Sequence, residues 1–356
     1  MTALSERPAA PALAASASAV ATVRAEARTA RARRRRVVAG LVVLVAGLFL
    51  LDVVLRSFTV SLPDLVRVLR GELVPGASFV VREDTLPRAV VGLLAGTAFG
   101  VSGATFQSLL RNPLASPDII GVSAGAGAAA VLAISLGATG SRVSLAALGG
   151  SCAVGLGMHL LSRSDRSGGG RLVLVGIGAA AALYAVTSFL LTRTDLQTAS
   201  QSLVWITGSL SASTWDRAVP LALALAVLLP LAGVLGRALR VLGTGDDTAA
   251  GLGVPVARAR ALVLLVAVVL AGVATAAAGP VAYVAFLSGP IARRLLGGAV
   301  SLPVAGLVGA AVVLGADWVA AHVVPGTALP VGVVTGALGA PFLLWLLVAG
   351  RTDRGA

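Results

Sequence analysis

"GLLAGTAFGVSGATFQSLL" (Gly92–Leu110) runs directly into "RNPLASPDIIG" (Arg111–Gly121). The first stretch is nineteen residues without a charge, so as a helix it spans most of a hydrocarbon core about 30 Å thick. Gly92, Gly96 and Gly100 recur every fourth residue and share one face, where small residues let helix backbones approach closely. The second stretch stops that helix. Pro113 disfavours helical geometry at Asn112, and Arg111 supplies a charge at the membrane edge. Ser116-Pro117-Asp118 then reads as the start of the next helix: Ser116 as N-cap, Pro117 in the first turn, Asp118 at the positive end. The whole is a tight turn between two membrane helices.

The rest of the chain repeats the apolar theme. Of 356 residues, 57% are hydrophobic and 12% charged, about half the charge of an ordinary soluble domain. Val37–Leu55, Val143–Leu161, Ala261–Ala278 and Val331–Ala349 are each long and apolar enough to cross a bilayer. The pattern predicts ten spans, near 37–55, 86–110, 119–137, 143–161, 172–192, 218–236, 261–278, 280–292, 302–321 and 331–349. The fold class is an all-α polytopic membrane protein. Residues 1–36 form a basic tail ending in "RARRRR", expected to be disordered with arginines that fix orientation, or to touch anionic headgroups. Residues 37–350 form the transmembrane domain, and 351–356 a short C-terminal tail.

With the arginine tail inside, twenty of the 28 arginines fall on the inner side and eight outside, as the positive-inside rule requires. Both termini are then cytoplasmic. Arg56, Arg67, Arg70, Arg82 and Arg88 lie in or beside the first outer loop. A loop of that length tolerates charge without inverting, which is the favoured reading; the sharper alternative is a docking surface for an acidic partner.

Several chemistries are excluded. The chain has no lysine, so it cannot hold a phosphate loop of the usual kind. Cys152, His159 and His322 have no metal-ligand or disulfide spacing. "VLVGIGAAAAL" (Val173–Leu183) mimics a dinucleotide fingerprint but lies inside an apolar span. Gln107 and Asp317 are polar at membrane depth and face the bundle interior or a wet path, yet they make no catalytic pair. No enzyme, metal or nucleic-acid site emerges. The paired Gly-Pro breaks in "AAAGPVAYVAFLSGPIARR" (Ala276–Arg294), and those in "VPGTALPVGVV" (Val324–Val334), favour a transport pathway, because broken helices survive only where protein or a cavity satisfies the backbone.

These residues also resemble a known family. Gly92–Ala126, "LVWITGSLSASTW" (Leu203–Trp215), "GDDTAAGLGV" (Gly245–Val254) and "LPVGVVTGALGAPFLLWLL" (Leu329–Leu347) are similar to the permease subunits of iron–siderophore and cobalamin ABC importers, from about residue 37 onward. Gln107, Arg111, Asn112, Pro113, Pro117, Asp317, Pro330, Gly332 and Pro341 are the structural residues of those motifs. The resemblance implies a ten-helix type II importer permease that pairs with a second permease subunit. Two cytoplasmic ATP-binding subunits hold ATP and magnesium, an extracytoplasmic siderophore-binding protein docks outside, and this chain carries no cofactor. Membrane lipid surrounds the rest. The implied coupling loop is Gly245–Arg260, with Asp246, Asp247, Ala249, Gly251, Leu252 and Gly253. Arg56 and Arg82 are the implied docking arginines, and the fifth and tenth spans line the pathway. The chain departs from the pattern at Gly289-Pro290-Ile291, after Asp317, and at Ala328. Ferric siderophore is the implied cargo, the enterobactin type among those it could be, with cobalamin or haem as alternatives. From outside the family, an ion-gradient transporter competes, weakened by the scarcity of intramembrane acids.

Overall fold

A computed structural model describes residues 10–56, 60–162, 170–323 and 329–352. Among these the chain is helical throughout: α1 (Ala10–Val54), α2 (Leu62–Leu69), α3 (Ala77–Leu109), α4 (Val122–Ser135), α5 (Ser141–Ser162), α6 (Gly170–Arg193), α7 (Leu196–Thr207), α8 (Trp215–Leu242), α9 (Asp246–Gly251), α10 (Val256–Ala278), α11 (Val284–Leu295), α12 (Leu302–His322) and α13 (Val331–Thr352). Seven helices are long and apolar enough to cross a membrane, and α4 and α13 contribute shorter apolar stretches. The sequence-based expectation of an all-α, multi-span bundle holds. Ala328 and residues 353–356 lie outside the described residues.

Four local expectations are corrected. The segment taken as a disordered tail is helical from Ala10 onward and continues unbroken into the first span. Alanine and arginine are strong helix formers, and no proline interrupts them after Pro11. The next helix after the Arg-Asn-Pro turn does not begin at Ser116. Ser116 Oγ instead accepts from Ile119 N at 3.4 Å in a single turn. Gly121 at φ 88° then redirects the chain, so that α4 starts at Val122. The eighth span is also displaced. Gly279-Pro280 breaks the chain, Tyr283 adopts φ 64°, and α11 begins only at Val284. At 12 residues it rises about 18 Å, too short to cross alone. Finally α7 was not anticipated; Asp195 caps it by accepting from Thr198 N at 3.0 Å, and Gly208 at φ 77° ends it.

The core is organised around α3, which is almost entirely enclosed by α8, α10, α11 and α12. Phe99, Leu210, Leu225 and Leu270 are buried between them. The glycine face read from the sequence meets α12: a Cβ on Gly96 would lie 2.6 Å from the Gly309 carbonyl. One on Gly100 would collide with the carbonyl of Ala305. The helices therefore touch backbone to backbone, an arrangement that van der Waals packing favours in a bilayer. By contrast α1, α5, α6 and α8 turn Val43, Leu145, Phe189 and Val227 outward, apolar surface suited to lipid or to another subunit.

Candidate coupling face and translocation cleft

At one end of the bundle the Arg-Asn-Pro turn is bonded to the segment after α8. Arg111, at φ 50°, points its guanidinium at the last turn of α8 and the first residue of α9. Its Nη2 donates to Leu242 O at 2.7 Å and to Asp246 Oδ1 at 3.2 Å. Arg260 Nη2 meets the same carboxylate at 2.9 and 3.0 Å. Arg111 is thus more than a charge at a membrane edge: it is a strut to α9. Asn112 Oδ1 accepts from Leu114 N at 2.9 Å, closing a local turn of the kind that competes with helix, and Pro113 is exposed at the tip. Pro117 lies buried in the following turn.

On α9 and the turn after it, Ala249 is buried while Asp246, Asp247, Gly251 and Gly253 are exposed. Leu252 stands 68% exposed between the two glycines. Leu252 is thus an apolar side chain held out just past a short helix whose first residue is braced by two arginines.

Beside this face, Gln107 joins α3 to α11. Its Nε2 donates to Phe286 O at 3.0 Å and its Oε1 accepts from Arg293 Nη2 at 3.2 Å. Gly289 leaves room for that amide, since a Cβ there would overlap the Gln107 oxygen. Gln107 is therefore an internal staple rather than part of a wet path. Gln107→Ala is expected to cost about 1–3 kcal/mol, the penalty of stranding the buried Phe286 carbonyl and the half-buried Arg293 donor, measured as a lower Tm in detergent.

The opposite end holds a buried charge cluster. Asp317 on α12 accepts a paired bond from Arg88 on α3, Nη2–Oδ1 2.8 Å and Nε–Oδ2 2.9 Å. It also accepts from Arg56 Nη1 at 2.6 Å, and Arg56 reaches Asp52 at 3.4 Å. The side chain of Arg56 is 5% exposed. This overturns Arg56 as an outward docking residue, because its charge is already spent inside the bundle. Arg82 is half-buried, donates to Val68 O at 2.8 Å, and accepts at its own carbonyl from Trp215 Nε1 at 2.8 Å. The exposed arginines of the first loop are Arg67, paired with Glu72 at 2.7 Å, and Arg70.

Between these ends lies a cleft of about 480 Å³ lined by Asp118, Ser123, Tyr184, Thr187, Tyr283 and Leu343, among others. It borders α6 and α13, the fifth and tenth spans. Gly332, at the start of α13, packs on the Thr207 carbonyl and donates to Gly208 O at 3.1 Å. Pro330 O accepts from Val333 N at 3.0 Å, and Pro341 sits exposed inside α13. Broken helices thus converge where the cleft is walled. Sequence reasoning missed the Asp317 cluster, the helix α7, and the bond by which Arg33 of α1 donates to Leu295 O at the end of α11, at 2.8 Å. Of these only the Asp195 cap carried a local signal.

A many-span helical bundle with glycine-tight crossings, broken half-helices around a cleft, and a braced protruding helix at one end has the build of a transport permease. The chain belongs to the FecCD transport family, which it matches over residues 42–349. It is 42% identical to the ferric enterobactin transport system permease protein FepG of Escherichia coli (strain K12) over 298 residues, covering 83% of this chain and 90% of that protein. It is 39% identical to the achromobactin transport system permease protein CbrC of Dickeya dadantii (strain 3937), covering 81% and 84%. Among solved structures it superposes, with a TM-score of 0.77 and 26% identity, on an inward-facing metal-chelate type ABC transporter, covering 88% of this chain and 99% of the other. It is a multi-pass membrane protein and a transport subunit.

Proposed function

We propose that this chain is the permease subunit of an ATP-driven importer carrying a ferric siderophore across the bacterial cytoplasmic membrane. Both termini and α9 face the cytoplasm, and the Asp317 end faces outward. The observation that carries the reading is the α9 face: Leu252 exposed between Gly251 and Gly253, with Asp246 held by Arg111 and Arg260. Two ATP-binding subunits seat there and hydrolyse ATP with magnesium, and closure of that pair is transmitted to α3 and α8 through Arg111 as rigid-body motion. A second permease subunit completes the cleft, and an extracytoplasmic siderophore-binding protein docks on the loop bearing Arg67 and Arg70. The relatives' ferric enterobactin and achromobactin point to siderophore cargo rather than cobalamin or haem.

Uptake of labelled ferric siderophore should require the ATP-binding subunit; uptake that persists without it and follows a proton or sodium gradient would make this chain a secondary transporter instead. Leu252→Asp should lower uptake about tenfold or more, the cost of losing one buried anchor at an interface, at unchanged chain level in the membrane. Full uptake by that variant would remove α9 from the coupling role.

A further inference from the structure

The helix of the first span begins 27 residues before Val37, and its arginines are patterned. Arg24, Arg28, Arg31 and Arg35 are spaced by four, three and four residues, which aligns them in one stripe. Arg33 lies half a turn round the helix. There its Nε donates to Leu295 O at 2.8 Å and its Nη2 to Arg294 O at 3.2 Å, adding side-chain bonds to two carbonyls at the end of α11. Gly297 makes the seat, since a Cβ there would press on the Arg33 guanidinium. The segment is therefore docked, with its stripe turned away from α11. All four stripe arginines are exposed, and among the described residues none has an ion-pair partner. Glu26 falls on the Arg33 side of the helix.

Like charges at these spacings repel one another, so the stripe gains nothing within this chain. Its counter-charge comes from outside, from lipid headgroups or from an acidic protein. Height separates the two. Counting from Val37, Arg35 stands about 3 Å beyond the apolar span, Arg31 about 9 Å, Arg28 about 14 Å and Arg24 about 20 Å. The headgroup layer is roughly 5–7 Å deep, and charges are screened beyond about 8 Å. Past Pro11 no proline or π-turn bends α1. Arg35 reaches lipid, Arg31 stands just past the headgroup layer, and Arg28 and Arg24 stand well clear of it.

We propose that Arg24, Arg28 and Arg31 form a docking stripe for an acidic surface on the cytoplasmic ATP-binding subunit. This rests on the reading that such a subunit seats on α9. The two elements share one face of the bundle: α11, which holds Arg33, is tied through Arg293 to Gln107, and Gln107 O accepts from Asn112 N in the turn that braces Asp246.

The test is binding of the purified ATP-binding subunit to the full chain in nanodiscs of zwitterionic lipid, across a salt series. Arg24→Gln/Arg28→Gln/Arg31→Gln keeps helix propensity, so folding and monodispersity should match the wild type. The variant's Kd should rise about three- to tenfold at low salt with a flatter salt slope, and the difference should vanish at high salt. Equal affinities and equal slopes would overturn the proposal. So would a difference seen only when anionic lipid is added, which would assign the stripe to the bilayer. Failure of the wild-type chain to bind the subunit would sink the seat on α9 as well, whereas binding without arginine dependence sinks the stripe alone.

Discussion

Asp317→Asn is expected to unfold the end of the bundle where Asp317 joins α1, α3 and α12. The carboxylate is 1% exposed and serves two arginines at once, Arg88 through a paired bond and Arg56 through a single short one. With asparagine both guanidinium groups stay buried while their shared counter-charge disappears. Only Asp52 remains, 3.4 Å from Arg56. Breaking a buried pair in this one-sided way costs about 3–5 kcal/mol, a large part of a typical folding free energy. Because the cluster ties α1, α3 and α12 together, the loss should appear as a sharp fall in Tm and in the monodisperse fraction extracted in detergent. The whole-set replacement Asp52→Leu/Arg56→Met/Arg88→Met/Asp317→Leu should recover much of it, since removing all the charges leaves none uncompensated. If Asp317→Asn melted like the wild type, the cluster would not be what joins these helices.

That cluster shows where sequence reasoning stops. Arg56 and Asp317 are 261 positions apart, and a lone arginine after a span looks the same whether it faces a partner or a buried carboxylate. Hydropathy located the spans because burial in lipid demands unbroken apolar runs. The residue pattern marked the Gly279-Pro280 break before α11 but not the turn that follows, where Tyr283 at φ 64° delays the helix to Val284. The Gly245–Arg260 segment could be singled out because Gly245, Asp246 and the Gly-Leu-Gly that follows are local. Its bracing by Arg111 was not, because that contact spans 135 residues. The tail was misjudged for a related reason. Its low hydrophobicity and clustered charge resemble a disordered segment, while alanine and arginine favour helix, and the seat on α11 that decides between them lies 262 positions away.

The glycine face was legible as a spacing, but which glycines are indispensable depends on what each one touches. Gly100→Val is expected to cost roughly 3 kcal/mol or more, at or above the usual range for overpacking. The obstacle is the carbonyl of Ala305 on α12, which is backbone; no side chain can shrink to make room, so α3 and α12 must separate and forfeit their contact along Gly96 and Gly309. Gly149→Ala should go the other way. Nothing lies within 4 Å of a Cβ there, so alanine should add about 0.5–1 kcal/mol of helix stability. Gly289→Ala is intermediate, because its obstacle is the side-chain oxygen of Gln107. Gln107→Ala should relieve that clash, making the Gly289→Ala/Gln107→Ala pair less damaging than the sum of its single changes, whereas Gly100→Val should resist rescue by any side-chain substitution on α12. Thermal melts of the five variants decide it. A Gly100→Val chain as stable as the wild type would show that the α3–α12 crossing has slack that its backbone geometry denies.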